Sequence, residues 1–184
     1  MSRKTKYDWF VASVQILNTQ GHQSLTIDAL TKKLGVTKGS FYHHFGSLKQ
    51  FKTALLAHFE EAGTLQIIEQ TEEATTSQAK LYRLVAIVSE QITSSPSNLE
   101  VGLRAWARQE PEVGELLARV DAQRIAYVQN LFNDIFNDSA KAQKVSELFY
   151  IVLIGSEHVF PPLAQTHLSI YLTELLHLYG VKNE

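Results

Sequence analysis

Lys38, Gly39, Ser40, Tyr42, His43 and His44 lie within seven residues (KGSFYHH), a density of donors and acceptors suited to reading nucleic acid. At about 100° per residue on a helix, Phe41 and Phe45 share one azimuth and define a core side. Gly39, Ser40 and His43 then point the opposite way, with Lys38 and Tyr42 on one flank and His44 on the other. Such a surface offers hydrogen-bonding groups to base edges at its centre and cationic or hydroxyl groups to phosphates at its margins. Gly39 would let the helix axis approach closely. The competing reading is a short solvated helix whose polar face does nothing.

The elements around this stretch hold it in a recognisable plan. Thr26 can N-cap a first short helix, and Ile27, Leu30 and Leu34 give it an apolar stripe. Gly35 supplies the left-handed residue that ends it. Thr37 can cap the second helix, on which Phe41 and Phe45 form a buried i,i+4 pair. Helix, glycine turn and helix is the arrangement of a helix-turn-helix. Thr26, Thr37 and Lys49 are expected to serve phosphates. Residues 6–19 form a preceding helix with Phe10, Val14 and Leu17 on one face. The basic arm Arg3, Lys4 and Lys6 could touch phosphate or a minor groove, or simply aid solubility.

The run ILNTQGHQSLTIDALTKKLGVTKGSFYHHFGSLKQF resembles the DNA-binding segment of the tetracycline-repressor (TetR) family of transcription regulators. The resemblance covers roughly residues 5–60, and GVTKGSFYHHF is its most specific part. A second stretch, LRAWARQEPEVGELLARVDAQRIAYVQNLF at 103–132, is similar to the sensor domain of one branch of that family. The pattern departs at Leu48, where family members often carry a phosphate-binding Lys, so Lys49 is expected to stand in for it. The resemblance implies a repressor released from a palindromic operator by a small molecule, and a four-helix dimer interface built from the last two helices.

Composition bounds the chain, and its charge distribution agrees with the motif. The chain has 184 residues, 45% hydrophobic, with no cysteine and a net charge of −2. Residues 1–50 carry seven Lys/Arg against two acids, net +5, whereas 51–184 carry ten against seventeen, net −7. The basic part holds the helix-turn-helix, as phosphate binding requires. No apolar run approaches membrane-spanning length, and Asp8, Gln15 and Asn18 interrupt the apolar N-terminal stretch, so a soluble cytoplasmic protein is expected. Seven histidines raise the question of an enzyme or metal site. Adjacent His43 and His44 diverge by about 100° on a helix, and no HExxH, GxSxG or P-loop pattern occurs. Glu157-His158 lacks a third partner. No catalytic residue, metal or cofactor is expected, and an enzyme is the remote alternative.

The rest of the chain reads as helix. A long helix over 47–70 carries Phe51, Leu55, Phe59, Ala62 and Leu65, and Thr71–Ser77 makes a polar loop. Helices follow over 78–93, from Ser97 or Asn98 to about Gln109, from Pro111 to about Asn137, and over 140–159 and 163–179. The expected fold is all-α with about nine helices: a helix-turn-helix DNA-binding domain over 1–46 and a ligand-binding and dimerisation bundle over 47–184. The wide apolar stripes of 140–159 and 163–179 suit a homodimer whose two heads read double-stranded DNA at pseudo-palindromic half-sites. An unknown effector would occupy the bundle and tilt the 47–70 helix. Its candidate contacts are His58, Tyr82, Trp106, Arg124, Tyr127, Phe149, Tyr150 and His158, each of which also fits as core, and Arg124 also fits as a partner of Asp121. The alternative is a helix-turn-helix regulator controlled by a protein partner.

Overall fold

The computed structural model describes residues 4–94, 99–159 and 165–182. These are helical throughout, in the order α1 (Lys6–Gln20), a 3-10 turn (His22–Ser24), α2 (Ile27–Leu34), α3 (Lys38–Phe45), α4 (Leu48–Glu60), a π turn (Glu61–Leu65), α5 (Gln66–Glu72), α6 (Ser77–Ser94), α7 (Leu99–Ala107), α8 (Pro111–Phe136), α9 (Ser139–His158) and α10 (Gln165–Leu178). Since α4, the π turn and α5 are continuous, the described residues carry nine helical segments and no strand. None of these helices is long and apolar enough to cross a membrane.

The chain forms two compact units, Met1–Glu61 with Pro96–Leu117 and Ala62–Ser95 with Ala118–Glu184. The first unit runs past residue 46 and takes in all of α4, all of α7 and the start of α8. In this unit α1 buries a broad face, through Trp9, Phe10, Ala12, Ser13, Val14, Ile16 and Leu17. A face that wide can pack against more than one neighbouring helix. One side of α1 receives α2, and another receives α7, where Gly102 removes the side chain that would obstruct the approach. A Cβ on Gly102 would lie 3.0 Å from Leu17 Cβ and 2.6 Å from Asn18 Oδ1. Trp106 is buried beside α4, with Lys52 Nζ 4.9 Å above its ring and 3.2 Å from Glu110 Oε1.

The second unit packs α6 against α5 and α10, and α10 against α9. Its core includes Leu81, Phe132, Val145, Phe149, Leu172 and Leu176, all buried. Asn137 adopts a left-handed φ of 50°, tolerable for Asn, and Asp138 then caps α9 by accepting from Lys141 N at 3.0 Å. Pro111 opens α8 as expected.

Two expectations need correction. The single helix over 47–70 contains the π turn at Glu61–Leu65, where the expected stripe breaks. The stripe from Phe51 through Phe59 should have continued to Leu65, yet Leu65 is 40% exposed and Thr64 is 1% exposed. The polar loop is also shorter, because Thr71 is buried and donates to the Ile67 carbonyl at 2.7 Å, so helix persists to Glu72. The stop at Ser95-Pro96, the caps at Ser97 or Asn98, and Pro161-Pro162 lie outside the described residues.

Candidate nucleic-acid interface

The site is built on two short helices whose ends are fixed by local chemistry. Thr26 Oγ1 accepts from Ala29 N at 3.2 Å and starts α2. Gly35 has φ 66° and ψ 35°, and Val36 N donates back to the Thr31 carbonyl at 3.0 Å, which ends it. Ser47 caps α4 by accepting from Gln50 N at 3.1 Å, leaving Lys49 exposed in that helix's first turn.

An aromatic cluster sets the orientation of α3. Trp9 lies edge-on to Phe41 at 5.4 Å and to Phe45 at 6.2 Å, and Phe51 lies edge-on to Phe45 at 4.9 Å. Phe10 completes the group at 6.0 Å from Phe45. With Phe41 and Phe45 locked inward, Thr37, Lys38, Gly39, Tyr42 and His43 are exposed and Ser40 is half-buried. His44 turns back, half-buried, with its ring 6.2 Å from Trp9. Thr37 makes no side-chain cap bond. A Cβ on Gly39 would meet only Thr37 Oγ1, at an ordinary 3.6 Å. Packing within the chain therefore does not require glycine there, although glycine costs an eight-residue helix stability. Lys6 Nζ lies 5.9 Å from the Phe45 ring, which brings one residue of the basic arm beside α3; Arg3 lies outside the described residues.

The eight proposed effector contacts are divided between the two units. His58 and Trp106 belong to the first unit, where His58 stacks on Phe10 at 4.8 Å and Trp106 stacks on His22 at 6.1 Å. In the second unit Tyr82 donates to the Val181 carbonyl at 3.1 Å, Tyr127 donates to Glu72 at 2.7 Å, and Phe149 is core. His158 is exposed, with Nδ1 2.8 Å from the Ile154 carbonyl. Arg124 and Tyr150 meet, at 3.3 Å from Nη1 to Oη. Their network also takes in Asp121, and it adds Gly63 and Thr64, which the sequence reading did not join to them.

Sequence reasoning also missed Trp9 at the centre of the head. Its signal was present: Trp9, Ser13 and Ile16 form a second stripe at i, i+4 and i+7 beside Phe10, Val14 and Leu17. Asp28, which pairs with Lys38 at 2.6 Å, was missed as well.

Residues 10–59 match the family model described as bacterial regulatory proteins, tetR family. Over 52 residues the chain is 44% identical to the transposon Tn10 TetC protein of Escherichia coli, a stretch that spans 28% of this chain and 26% of that protein. Residues 10–59 form a TetR-family DNA-binding segment. The fold is shared over a greater length. A TetR-family transcriptional regulator from Streptomyces coelicolor superposes with a TM-score of 0.74 at 13% identity, covering 97% of this chain and 90% of that one. The fatty acid degradation regulator FadR of Bacillus halodurans gives 0.71 at 18% identity, covering 100% of both chains. The TetR-family regulator CifR, in complex with 26-bp double-strand operator DNA, gives 0.69 at 14% identity, covering 96% and 97%. At these identities the TetR-family likeness beyond the head is one of fold.

Proposed function

We propose that this chain is a homodimeric, cytoplasmic transcription regulator of the TetR family, a repressor that binds a pseudo-palindromic operator and is released by a small-molecule effector. The observation that carries the reading is α3: an aromatic cluster fixes its inner face while its outer face presents Lys38, Gly39, Ser40, Tyr42 and His43. Gly39, which internal packing does not require, suits a helix that must approach another backbone closely. CifR, of the same fold, is known in complex with operator DNA. Ser40, Tyr42 and His43 are assigned to base edges and nearby sugar or phosphate, with Lys38, Lys49, Thr26 and Thr37 on the backbone.

Dimerisation rests on an exposed apolar strip of the second unit. On α9, Leu148 and Ile151 are exposed one turn apart, and a Cβ on Gly155 a turn further on would meet nothing within 4 Å. On α10, Ile170, Tyr171 and Leu178 are exposed. A single short recognition helix reads too few base pairs for useful specificity, and a two-fold axis doubles the site.

The test is selection of bound genomic fragments by the purified protein at two salt concentrations. A shared palindrome retained at the higher salt is the expected outcome. Fragments with no common site, all lost as salt rises, would leave only backbone attraction and refute a sequence-specific dimer.

A further inference from the structure

The first residue of α3 is a lysine, at the helix end where a cation is disfavoured. Aligned backbone dipoles leave partial positive charge on the first N–H groups of a helix, so an anion is stabilised there and a cation is not. Thr37, the residue before it, does not relieve those N–H groups with its hydroxyl. The anion comes from the neighbouring helix. Asp28, in the first turn of α2, places Oδ1 2.6 Å from Lys38 Nζ. The two side chains remain 61% and 73% exposed, so a duplex phosphate has access to both.

We propose that Asp28 is a built-in competitor for the DNA phosphate at Lys38, setting how tightly the head holds any duplex. The proposal rests on the reading of α3 as the DNA-contacting helix. In the unbound head the ammonium already holds a carboxylate in the place a phosphate oxygen would take. Binding DNA means opening that pair, so Lys38 contributes less net attraction than an unpaired lysine at the same position. Phosphate attraction carries no sequence information, so the attenuation falls on all duplexes alike. A head weakened in this way leaves bulk DNA sooner, and a modest change in the rest of the molecule suffices to release it from an operator.

The experiment compares the wild-type protein with Asp28→Asn, Lys38→Met and the double variant. Each is titrated against the selected operator and a scrambled duplex over a range of salt, and thermal unfolding checks each fold. Asp28→Asn is expected to tighten binding to both duplexes by about two- to fivefold, the scale of an exposed ion pair. It should also steepen the dependence of log K on log salt by about one counterion. Asp28→Glu, which keeps the charge, should retain wild-type affinity. In the Lys38→Met background Asp28→Asn should have no effect, because the carboxylate acts through that lysine.

Equal or weaker binding by a folded Asp28→Asn protein overturns the proposal. So does tightening that persists without Lys38, which would make Asp28 a diffuse charge. A change confined to the operator overturns it too, since Lys38 would then contact a base. Failure of the wild-type protein to bind either duplex refutes the DNA-binding reading itself and this proposal with it, a result distinct from the other three.

Discussion

Arg124 donates through Nη2 to the carbonyl of Gly63 at 3.0 Å, inside the π turn that joins α4 to α5. The widened turn takes carbonyls out of the regular α-helical ladder, and a part-buried carbonyl freed in this way is satisfied by a donor from elsewhere. Arg124 supplies it from α8, and its Nε donates to Thr64 Oγ1 at 2.9 Å. Nη1 reaches the phenol of Tyr150, which in turn donates to Asp121 at 2.6 Å. Burial raises the Tyr150 pKa above the ordinary tyrosine range, with Asp121 adding to the rise and Arg124 opposing it, so the phenol remains protonated and able to donate.

Replacing Arg124 should therefore loosen the π turn as well as the bundle. Arg124→Met is expected to cost about 2 kcal/mol, within the range for losing hydrogen bonds to a charged group. Arg124→Lys should recover little of it, since one ammonium cannot reproduce the guanidinium's fork. Urea unfolding gives the stability, and hydrogen exchange at residues 61–65 gives the turn. Unchanged stability together with unchanged protection would show that the turn holds itself.

This cluster also shows where the sequence stopped being informative. Arg124 stood out as a charge on an apolar helix face, but its acceptors at Gly63 and Thr64 lie about sixty residues away in the chain. Helical periodicity says which face is buried and nothing about what meets it. The π turn was invisible because Ala62 and Leu65 extend the apolar stripe as well as a regular helix would. The head was read more fully, since its Gly35 turn, Thr26 cap and Phe41–Phe45 pair are local features with local causes. The docking of α7 on α1 was not read, because a glycine at 102 announces room for a neighbour without naming Leu17 as that neighbour.

His58 offers a pH test of the first unit. Its ring stacks on Phe10 and meets the edge of Tyr7 at 5.9 Å, and burial lowers its pKa from the ordinary histidine value. The unfolded chain then takes up the proton at a higher pH than the folded one does. Above about pH 6.5 both states are neutral at this position and it costs no stability. As pH falls from there towards the folded-state pKa, the unfolded state binds more protons and stability declines. His58→Phe should remove that share of the decline while keeping the stacked ring. Melting temperatures for both proteins between about pH 7.5 and pH 5 decide it; parallel curves would place the acid sensitivity elsewhere.

The exposed strip on α9 and α10 makes the dimer testable at single residues. Ile151 is 64% exposed and Ile170 is 58% exposed in the single chain, so charge there should leave the fold intact. Buried against a partner, an unpaired arginine would cost several kcal/mol, on the order of 3 or more. Ile151→Arg and Ile170→Arg are each expected to yield folded monomers by light scattering, with operator affinity reduced to that of one head. Either variant remaining a dimer at micromolar concentration would move the interface off this strip.

Tyr42 and His43 separate affinity from sequence preference. Tyr42 is 52% exposed, so Tyr42→Ala should leave folding and dimerisation unchanged. If its ring and hydroxyl rest on the duplex, operator binding should weaken by at least about tenfold, within the range for one good contact repeated in two half-sites. Full retained affinity would remove Tyr42 from the interface. His43 lies on the outward centre of α3 and is exposed, a position from which a ring nitrogen can reach a base edge. His43→Ala should relax the preference at one base pair in each half-site more than it lowers binding to a scrambled duplex. Fragment selection with the variant reads this directly, because a base contact changes the recovered motif and a phosphate contact does not. An equal loss on every sequence would assign His43 to the backbone, leaving Ser40 and Tyr42 as the residues of α3 that choose the operator.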